Sequence, residues 1–250
     1  MKKAVEEVTD YYTKKILENT RYSGKNKKNQ KIISCSQIGS EPQQVLLAYK
    51  YGVIEQNDIG QNTIGTLVHK GLEHSFIKEA NIHTEYSMEM LLKNGWILSG
   101  TADRIDLNND VIVDTKVTKT YTIDMIKKEP MHQYRLQLNG LRILAEYWYK
   151  KPFKMLLEIF NKQGGYDVRS GETIPDLTYI EVEKIDDDIV LSNINDLIQF
   201  IENGVEQKCS DVWLRKVKGD IIPLRCLKYC SYNKVCKFYN PQPKTIIKGW

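Results

Sequence analysis

The 250-residue chain has no apolar run approaching the ~18 residues that a membrane-spanning helix needs, so no membrane partner is expected. Its opening residues, Met1-Lys-Lys-Ala-Val-Glu-Glu, are basic but lead into no apolar stretch. No secretory signal is read there, and a cytoplasmic, reducing setting is expected. Internal repeats and low-complexity tracts are missing, which excludes a solenoid or a long disordered spacer. Charge of one sign does not dominate either: 36 basic against 32 acidic residues leave a net charge of only +4. Cysteine is scarce, with five in the chain, so a disulfide framework is not expected.

What the chain does have is the composition of a soluble globular protein, 41% hydrophobic and 27% charged. Its length suits one sizeable core with a small appendage. The expected organisation is an N-terminal helix and basic linker over 1–31, a core over 32–205, and a cysteine-rich segment over 206–250 that packs back on the N-terminal part. Within residues 1–20 the apolar positions follow helical spacing, and 21–31 is a polar, basic arm. Ser36 is placed as the cap of a helix running to about Tyr51, with Pro42 near its start. A helix from Thr63 to about Lys78 carries His69. Then come a strand over Ile82–Leu92, a turn at Asn94-Gly95, and strands over Trp96–Leu107 and Val111–Val117. A helix from about Met131 to Tyr149 follows Pro130, then a strand over Met155–Asn161, a turn at Gln163-Gly-Gly165, a strand over Leu177–Glu183 and a helix over Asp186–Asn203. Helix, three antiparallel strands, helix and strand together predict an α/β protein with a mixed sheet and helices packed on it.

The most informative segment is Gly100-Thr-Ala-Asp103 through Val111-Ile-Val-Asp114-Thr-Lys116. If Asn108 and Asn109 form a two-residue loop, the register places Asp103 directly opposite Asp114. Like charges facing each other across strands are destabilising, and cross-strand Cβ atoms are only about 5 Å apart. A divalent cation between the carboxylates removes the conflict, since hard oxygen ligands suit Mg²⁺ or Mn²⁺. The period of two puts Lys116 on the same face as Asp114, where an ammonium can steady a nucleophilic water or a developing phosphate charge. Val111, Ile112, Val113 and Val117 make this strand apolar on both faces, as in a central buried strand. The bland alternative, solvated charges at strand ends, leaves an acid and a base on such a strand unexplained.

These residues resemble the PD-(D/E)XK nuclease superfamily in its RecB-type exonuclease branch, whose core is a restriction-endonuclease-like αβββαβ fold. Gly65-Thr-Leu-Val-His69 resembles the branch's helix-borne histidine. Gly100-Thr-Ala-Asp103 resembles the motif aspartate, and Asp114-Thr-Lys116 the (D/E)-x-K triplet. Gln137 in Leu136-Gln-Leu-Asn-Gly-Leu141 resembles the glutamine of the following helix. The family's tyrosine after that glutamine is Leu141 here, with Tyr134 one turn earlier on the same helix face. The resemblance runs from about residue 32 to 240. It implies that His69, Asp103, Asp114 and the Thr115 carbonyl bind Mg²⁺ or Mn²⁺. It also implies that Lys116 positions the attacking water and that Gln137 orients the lysine or the scissile phosphate.

Three cysteines fall as C-x3-C-x5-C at Cys226, Cys230 and Cys236, and clustered thiols in a reducing setting point to a metal centre. By resemblance this is a [4Fe–4S] cluster held by three C-terminal cysteines and one upstream, for which Cys35 is the expected fourth ligand. Alternatives stay open: Cys209 as the fourth ligand, zinc in place of the cluster, or free thiols packed as small hydrophobes. The pattern also departs from the family, because Glu41 occupies the usual cysteine position before Pro42 and the first C-terminal gap is one residue longer.

The expected function is a metal-dependent DNA exonuclease or end-processing enzyme. Lysines at 25, 27, 28 and 31 and at 228, 234, 237, 244 and 248, the latter interleaved with Tyr229, Tyr232, Phe238, Tyr239 and Trp250, suit DNA that is single-stranded or has free ends. With no helicase segment present, the nuclease is expected to stand alone. The alternative is a catalytically silent nucleic-acid-binding module of a replication, recombination or packaging assembly.

Overall fold

The structure, a computed structural model, describes residues 31–52, 59–128, 132–162, 171, 173, 175–210, 214–217, 220–223 and 225–239. The expected N-terminal helix, the basic arm as far as residue 30, the Gln163-Gly-Gly165 turn, Lys244, Lys248 and Trp250 lie outside the described residues. The chain is a mixed α/β protein. Its strands are β1 (Ile32–Ser34), β2 (Ile82–Leu91), β3 (Ile97–Asp106), β4 (Val111–Thr118), β5 (Lys154–Asn161), β6 (Leu177–Glu181), β7 (Leu214–Val217) and β8 (Asp220–Pro223). The helices are α1 (Pro42–Tyr51), α2 (Ile59–Phe76), α3 (Thr120–Lys128), α4 (His132–Tyr149) and α5 (Asp187–Asn203). The run α2-β2-β3-β4-α4-β5 is compatible with a restriction-endonuclease-like αβββαβ core.

Several boundaries differ from the sequence expectation for local reasons. Ser36 caps no long helix, because Cys35–Gln37 forms a 3₁₀ turn closed by a reciprocal box between Ser34 and Gln37. Helix α1 starts at Pro42, where a missing N–H is tolerated, and Glu41 is its N-cap. Helix α3 and the β7–β8 hairpin carry no periodic signal long enough to announce them.

A six-stranded mixed sheet organises the core. Strand β3 runs antiparallel to β2 along most of its length, from Ile82 opposite Asp106 to Leu91 opposite Ile97. Its other edge is shared. The end near the turn pairs with β4 (Arg104 with Val113, Asp106 with Val111), and the far end pairs in parallel with β1 (Ile32 with Ile97, Ser34 with Ser99). Strand β4 continues into a parallel pairing with β5 from Val111 to Thr118, as a helical crossover requires. Strands β3 and β4 therefore fork apart just beyond Arg104 and Val113.

Helix α4 presents Leu136, Leu138, Leu141, Leu144 and Ala145 as buried residues, each Leu worth about 1.5–3 kcal/mol of transfer free energy. The same helix buries Arg142 completely. Its guanidinium donates to Glu146 Oε2 at 2.8 Å and to the Ile185 carbonyl at 3.3 Å, and pairs with Asp187. Asn139 ties the helix to the segment after β6 by accepting the Ile185 N–H at 2.8 Å and donating to the Glu183 carbonyl at 3.2 Å.

The described residues fall into two compact units, each discontinuous in sequence. The first holds Ile32–Gly39 and the described part of Asn57–Ser192; the second holds the described parts of Gly24–Lys31, Ser40–Gln56 and Asn193–Trp250. In the second, Gln43 accepts the Gln207 N–H at 2.9 Å, Lys50 donates to the Gly204 carbonyl at 3.1 Å, and the Tyr232 hydroxyl donates to the Gly52 carbonyl at 3.1 Å. Among the described residues no helix is long and apolar enough to cross a membrane.

In the first unit β3 and α4 approach closely around Cys35. A Cβ at Gly140 would lie 2.7 Å from Ile38 Cδ1 and 3.0 Å from the Cys35 sulfur; one at Gly100 would lie 2.6 Å from Leu141 Cδ2 and 2.9 Å from the same sulfur. Gly140→Ala is therefore expected to destabilise the fold by about 1–3 kcal/mol in denaturant unfolding. Cys35→Ala in the same chain should return part of that loss. A double-mutant cycle showing no coupling would contradict the packing described.

Candidate functional site

The fork between β3 and β4 builds the site. Asp103 and Asp114 are the first residues beyond the last backbone pair, Arg104 with Val113, and so occupy the facing positions that the Asn108–Asn109 loop predicts. Where the ladder stops, the Asp103 side chain takes over: its Oδ2 accepts the Thr115 N–H at 2.6 Å. Thr115 thus contributes its amide to the site, and its hydroxyl points to the other face of the strand.

Asp114 is the buried member of the pair, 2% exposed. Its Oδ1 accepts a hydrogen bond from Gln137 Nε2 at 2.8 Å, which brings the α4 glutamine onto the carboxylate. Its Oδ2 lies 2.7 Å from the Lys116 ammonium but takes no well-aligned hydrogen bond. Burial pushes Asp114 up to about 6, against the pull of the Lys116 charge. Burial works against the Lys116 ammonium as well, and Asp114 and Asp103 outweigh it, so its pKa is raised. Tyr134 supplies a wall, its ring centroid 5.3 Å from Lys116 Nζ. Leu141, at the family's tyrosine position, is instead buried core over Gly100.

His69 of α2 meets this pair from the other side. Its Nδ1 lies 3.4 Å from Asp103 Oδ1 and 3.4 Å from Glu85 Oε1. The two carboxylates, Asp103 first, hold the imidazolium up to about 10. Glu85 is the residue that sequence reasoning missed. Counted from a two-residue turn at Asn94-Gly95, the residue opposite Asp103 would be Tyr86. The observed loop has one residue more: Leu92 N–H donates to the Trp96 carbonyl at 2.7 Å, and Gly95 takes φ 81°. The register shifts by one and Glu85 lands opposite Asp103. There the β2–β3 pairing skips a residue, and Glu85 adopts φ 48°, an uncommon conformation outside glycine that turns its side chain from the ladder to the histidine.

On the other face of the same strands a buried polar group holds this arrangement. Glu158 of β5, 1% exposed, lies opposite Thr115. It accepts the Thr115 hydroxyl at 2.9 Å, the Arg104 guanidinium at 2.9 and 3.4 Å, and the Tyr179 hydroxyl at 2.9 Å. Arg104 in turn lies 4.8 Å from the centre of the Phe76 ring. Residues 104 and 115, each next to a site carboxylate in sequence, are thereby fixed to one anchor, so Asp103 and Asp114 are held in position without being neutralised.

The donor set fits a divalent cation. The ligand atoms of His69, Glu85 and Asp103 all lie within 4.8 Å of one another, and Asp114, its Oδ2 paired with Lys116, stands opposite Asp103 in the strand register. One imidazole nitrogen with several carboxylate oxygens suits Mg²⁺ or Mn²⁺ better than a thiophilic ion.

The cysteines separate into two groups. Cys35 belongs to the first unit and is sealed there among Ile38, Gly100 and Gly140, where burial pushes its thiol up. The expectation of Cys35 as a ligand therefore meets a thiol packed as a small core hydrophobe. Cys209, Cys226, Cys230 and Cys236 belong to the second unit, and all four are half-buried.

No protein-family profile and no curated protein matches the chain. Among solved structures, one named SSO0001 is similar at a TM-score of 0.61 and 19% identity, covering 93% of this chain and 98% of its own. A phage-related exonuclease from Haemophilus somnus 129PT is similar at a TM-score of 0.43 and 13% identity, covering 69% of this chain and 92% of its own. What the first likeness establishes is a shared fold over nearly the whole of both chains.

Proposed function

We propose that the chain is a metal-dependent DNA nuclease that hydrolyses phosphodiester bonds at or near free ends, with single strands as the favoured substrate. One observation carries this reading: Asp103 and Asp114 face each other at the strand fork with the Lys116 ammonium 2.7 Å from Asp114. Nothing in the fold requires two carboxylates there, and a cation-assisted attack on a phosphodiester does. His69 and Glu85 add donors on the Asp103 side, and the fold is one in which the sequence resemblance expects this chemistry.

A bound Mg²⁺ or Mn²⁺, held by Asp103, Asp114, His69 and Glu85, would polarise the scissile phosphate and offset the charge that builds on it. The remaining work falls to the chain. Lys116 carries its charge at the mouth of the fork, where it orients a water for in-line attack and shares the negative charge of the phosphorane-like transition state. Gln137 fixes Asp114 from α4, so the carboxylate presents its other oxygen without rotating. Tyr134 shields Lys116 and keeps its ammonium directed at Asp114. The lysines and aromatics of the C-terminal segment, Tyr232 and Phe238 among them, suit the backbone and bases of a single strand.

The test is degradation of 5′- and 3′-labelled single- and double-stranded DNA with Mg²⁺, with Mn²⁺ and with chelator. Cleavage with either cation and none with chelator is expected. Lys116→Ala should lower the cleavage rate by about 10²-fold or more while DNA affinity stays within about threefold, since its role lies in the transition state. Unchanged cleavage in that variant would remove the mechanism. Binding of DNA with no cation-dependent cleavage by the wild-type chain would instead assign a silent binding module.

Glu85→Gln tests the residue placed by the longer loop. It is expected to raise the Mn²⁺ concentration for half-maximal activity by about 10-fold, the range for a lost metal-site carboxylate contact, with little change at saturating metal. An unaltered metal titration would exclude Glu85 from the site.

A further inference from the structure

One polar row crosses the sheet between apolar ones. Strand pairing sets Thr115 of β4 opposite Glu158 of β5, and Glu158 opposite Tyr179 of β6. Two positions along the same face in either direction, the pairs are Val113 with Leu156 and Val117 with Phe160, and Phe160 in turn faces Leu177. Replacing a buried ionic group by apolar side chains is often neutral or stabilising, so packing stability does not account for the row. What the row supplies is direction.

Glu158 is held from both sides. Its Oε1 accepts Arg104 Nη2 and the Tyr179 hydroxyl, each at 2.9 Å. Its Oε2 accepts the Thr115 hydroxyl at 2.9 Å and Arg104 Nη1 at 3.4 Å. Each oxygen thus takes one arm of the guanidinium fork and one hydroxyl, which fixes the plane of the carboxylate. Thr115 is the middle residue of Asp114-Thr-Lys116 and gives its N–H to Asp103 at 2.6 Å. A rotation of Glu158 would therefore pass to Thr115 and from there to both carboxylates of the fork. Tyr179 is the accessible end of the row. It sits on the end strand of the sheet and is 54% exposed, yet its hydroxyl reaches a carboxylate that is 1% exposed. Burial, then the hydrogen bond to Glu158, raise its phenol and keep it a donor. Without that hydroxyl, Oε1 keeps the Arg104 bond, and the carboxylate can follow the guanidinium away from Thr115.

We propose that Tyr179 is a positioning residue for the metal site, acting through Glu158 and the Thr115 hydroxyl from two strands away, roughly 10 Å across the sheet. The inference rests on the reading of the strand fork as a divalent-cation site. Groups that orient metal ligands from behind are typically worth about 10–100-fold in metal affinity or activity. Glu158 and Thr115 stand in that position, and Tyr179 stands one hydrogen bond further out, so its effect is expected at or below the lower end of the range.

Mn²⁺ binding to the full chain is titrated by electron paramagnetic resonance without nucleic acid, alongside initial cleavage rates on labelled DNA. Tyr179→Phe is expected to weaken Mn²⁺ binding by about three- to tenfold and to lower kcat at limiting Mn²⁺ by a similar factor, with KM for DNA unchanged. Thr115→Val should weaken Mn²⁺ binding by about tenfold or more, and Thr115→Ser, which keeps the hydroxyl, should restore it. The double variant separates positioning from packing. With the path through Thr115 already cut, Tyr179→Phe should add nothing to Thr115→Val, whereas two independent losses of packing would add. Thr115→Ala supplies the same background if Thr115→Val does not fold. Unchanged Mn²⁺ binding in Tyr179→Phe, or additive losses in the double variant, would overturn the inference while the metal site stands. No Mn²⁺ binding by the wild-type chain would overturn the metal-site reading, and the inference with it.

Discussion

Two carboxylates face each other where β3 and β4 part, and the rest of the first unit is arranged around keeping them there. A continuous antiparallel ladder would leave Asp103 and Asp114 repelling each other across a few ångströms of low-dielectric interior. The fork opens that ladder at the one place where it would be most strained. Asp103 replaces the lost strand pairing by accepting the Thr115 N–H with its own side chain. Asp114 stays buried because Lys116 supplies the positive charge and Gln137 a fixed dipole. Strand β1 then fills the edge of β3 that β4 has left, so the opening does not expose the core.

Such a centre is stable only if it cannot relax by rotating its carboxylates away, and the reverse face of the sheet prevents this. Glu158 gathers Arg104, Thr115 and Tyr179 on one buried carboxylate. Its two nearest strand partners are the immediate chain neighbours of Asp103 and Asp114. Two acidic groups on opposite faces thus have opposite treatments. Glu158 is fully paired and serves as an anchor, whereas Asp114 retains an oxygen without an aligned hydrogen bond. That difference, rather than the number of acids, distinguishes the fork from the anchor on the reverse face.

The cysteines also differ in their surroundings. Cys35 is enclosed by two glycines whose missing side chains make room for its sulfur, and it is part of the packing of β3 on α4. The remaining four lie on loops of the second unit, where Glu41 fixes the junction between Ser210 and Arg225. A sequence count of cysteines treats all five alike. Their surroundings divide them into one buried core residue and four half-buried ones.

The local sequence determined a good deal. The two-residue period of Val111–Val117 and the Asn108-Asn109 turn set the register that opposes Asp103 to Asp114, because a tight turn leaves no freedom in the pairing. The apolar periodicity of α4 placed Gln137 on the helix after the hairpin. Three things needed the tertiary structure. Glu85 entered the site because the β2–β3 loop is one residue longer than Asn94-Gly95 suggested, and a one-residue shift in register changes which side chain faces Asp103. Glu158 became an anchor only through the parallel pairing of β4 with β5, a contact across a helical crossover that no local pattern encodes. The segments that carry Cys209 and Cys226 are tied together only because Glu41, far away in sequence, binds both Ser210 and Arg225. Short-range registry is written in turn length and side-chain period, while long-range company is decided by which loops the packed core brings together.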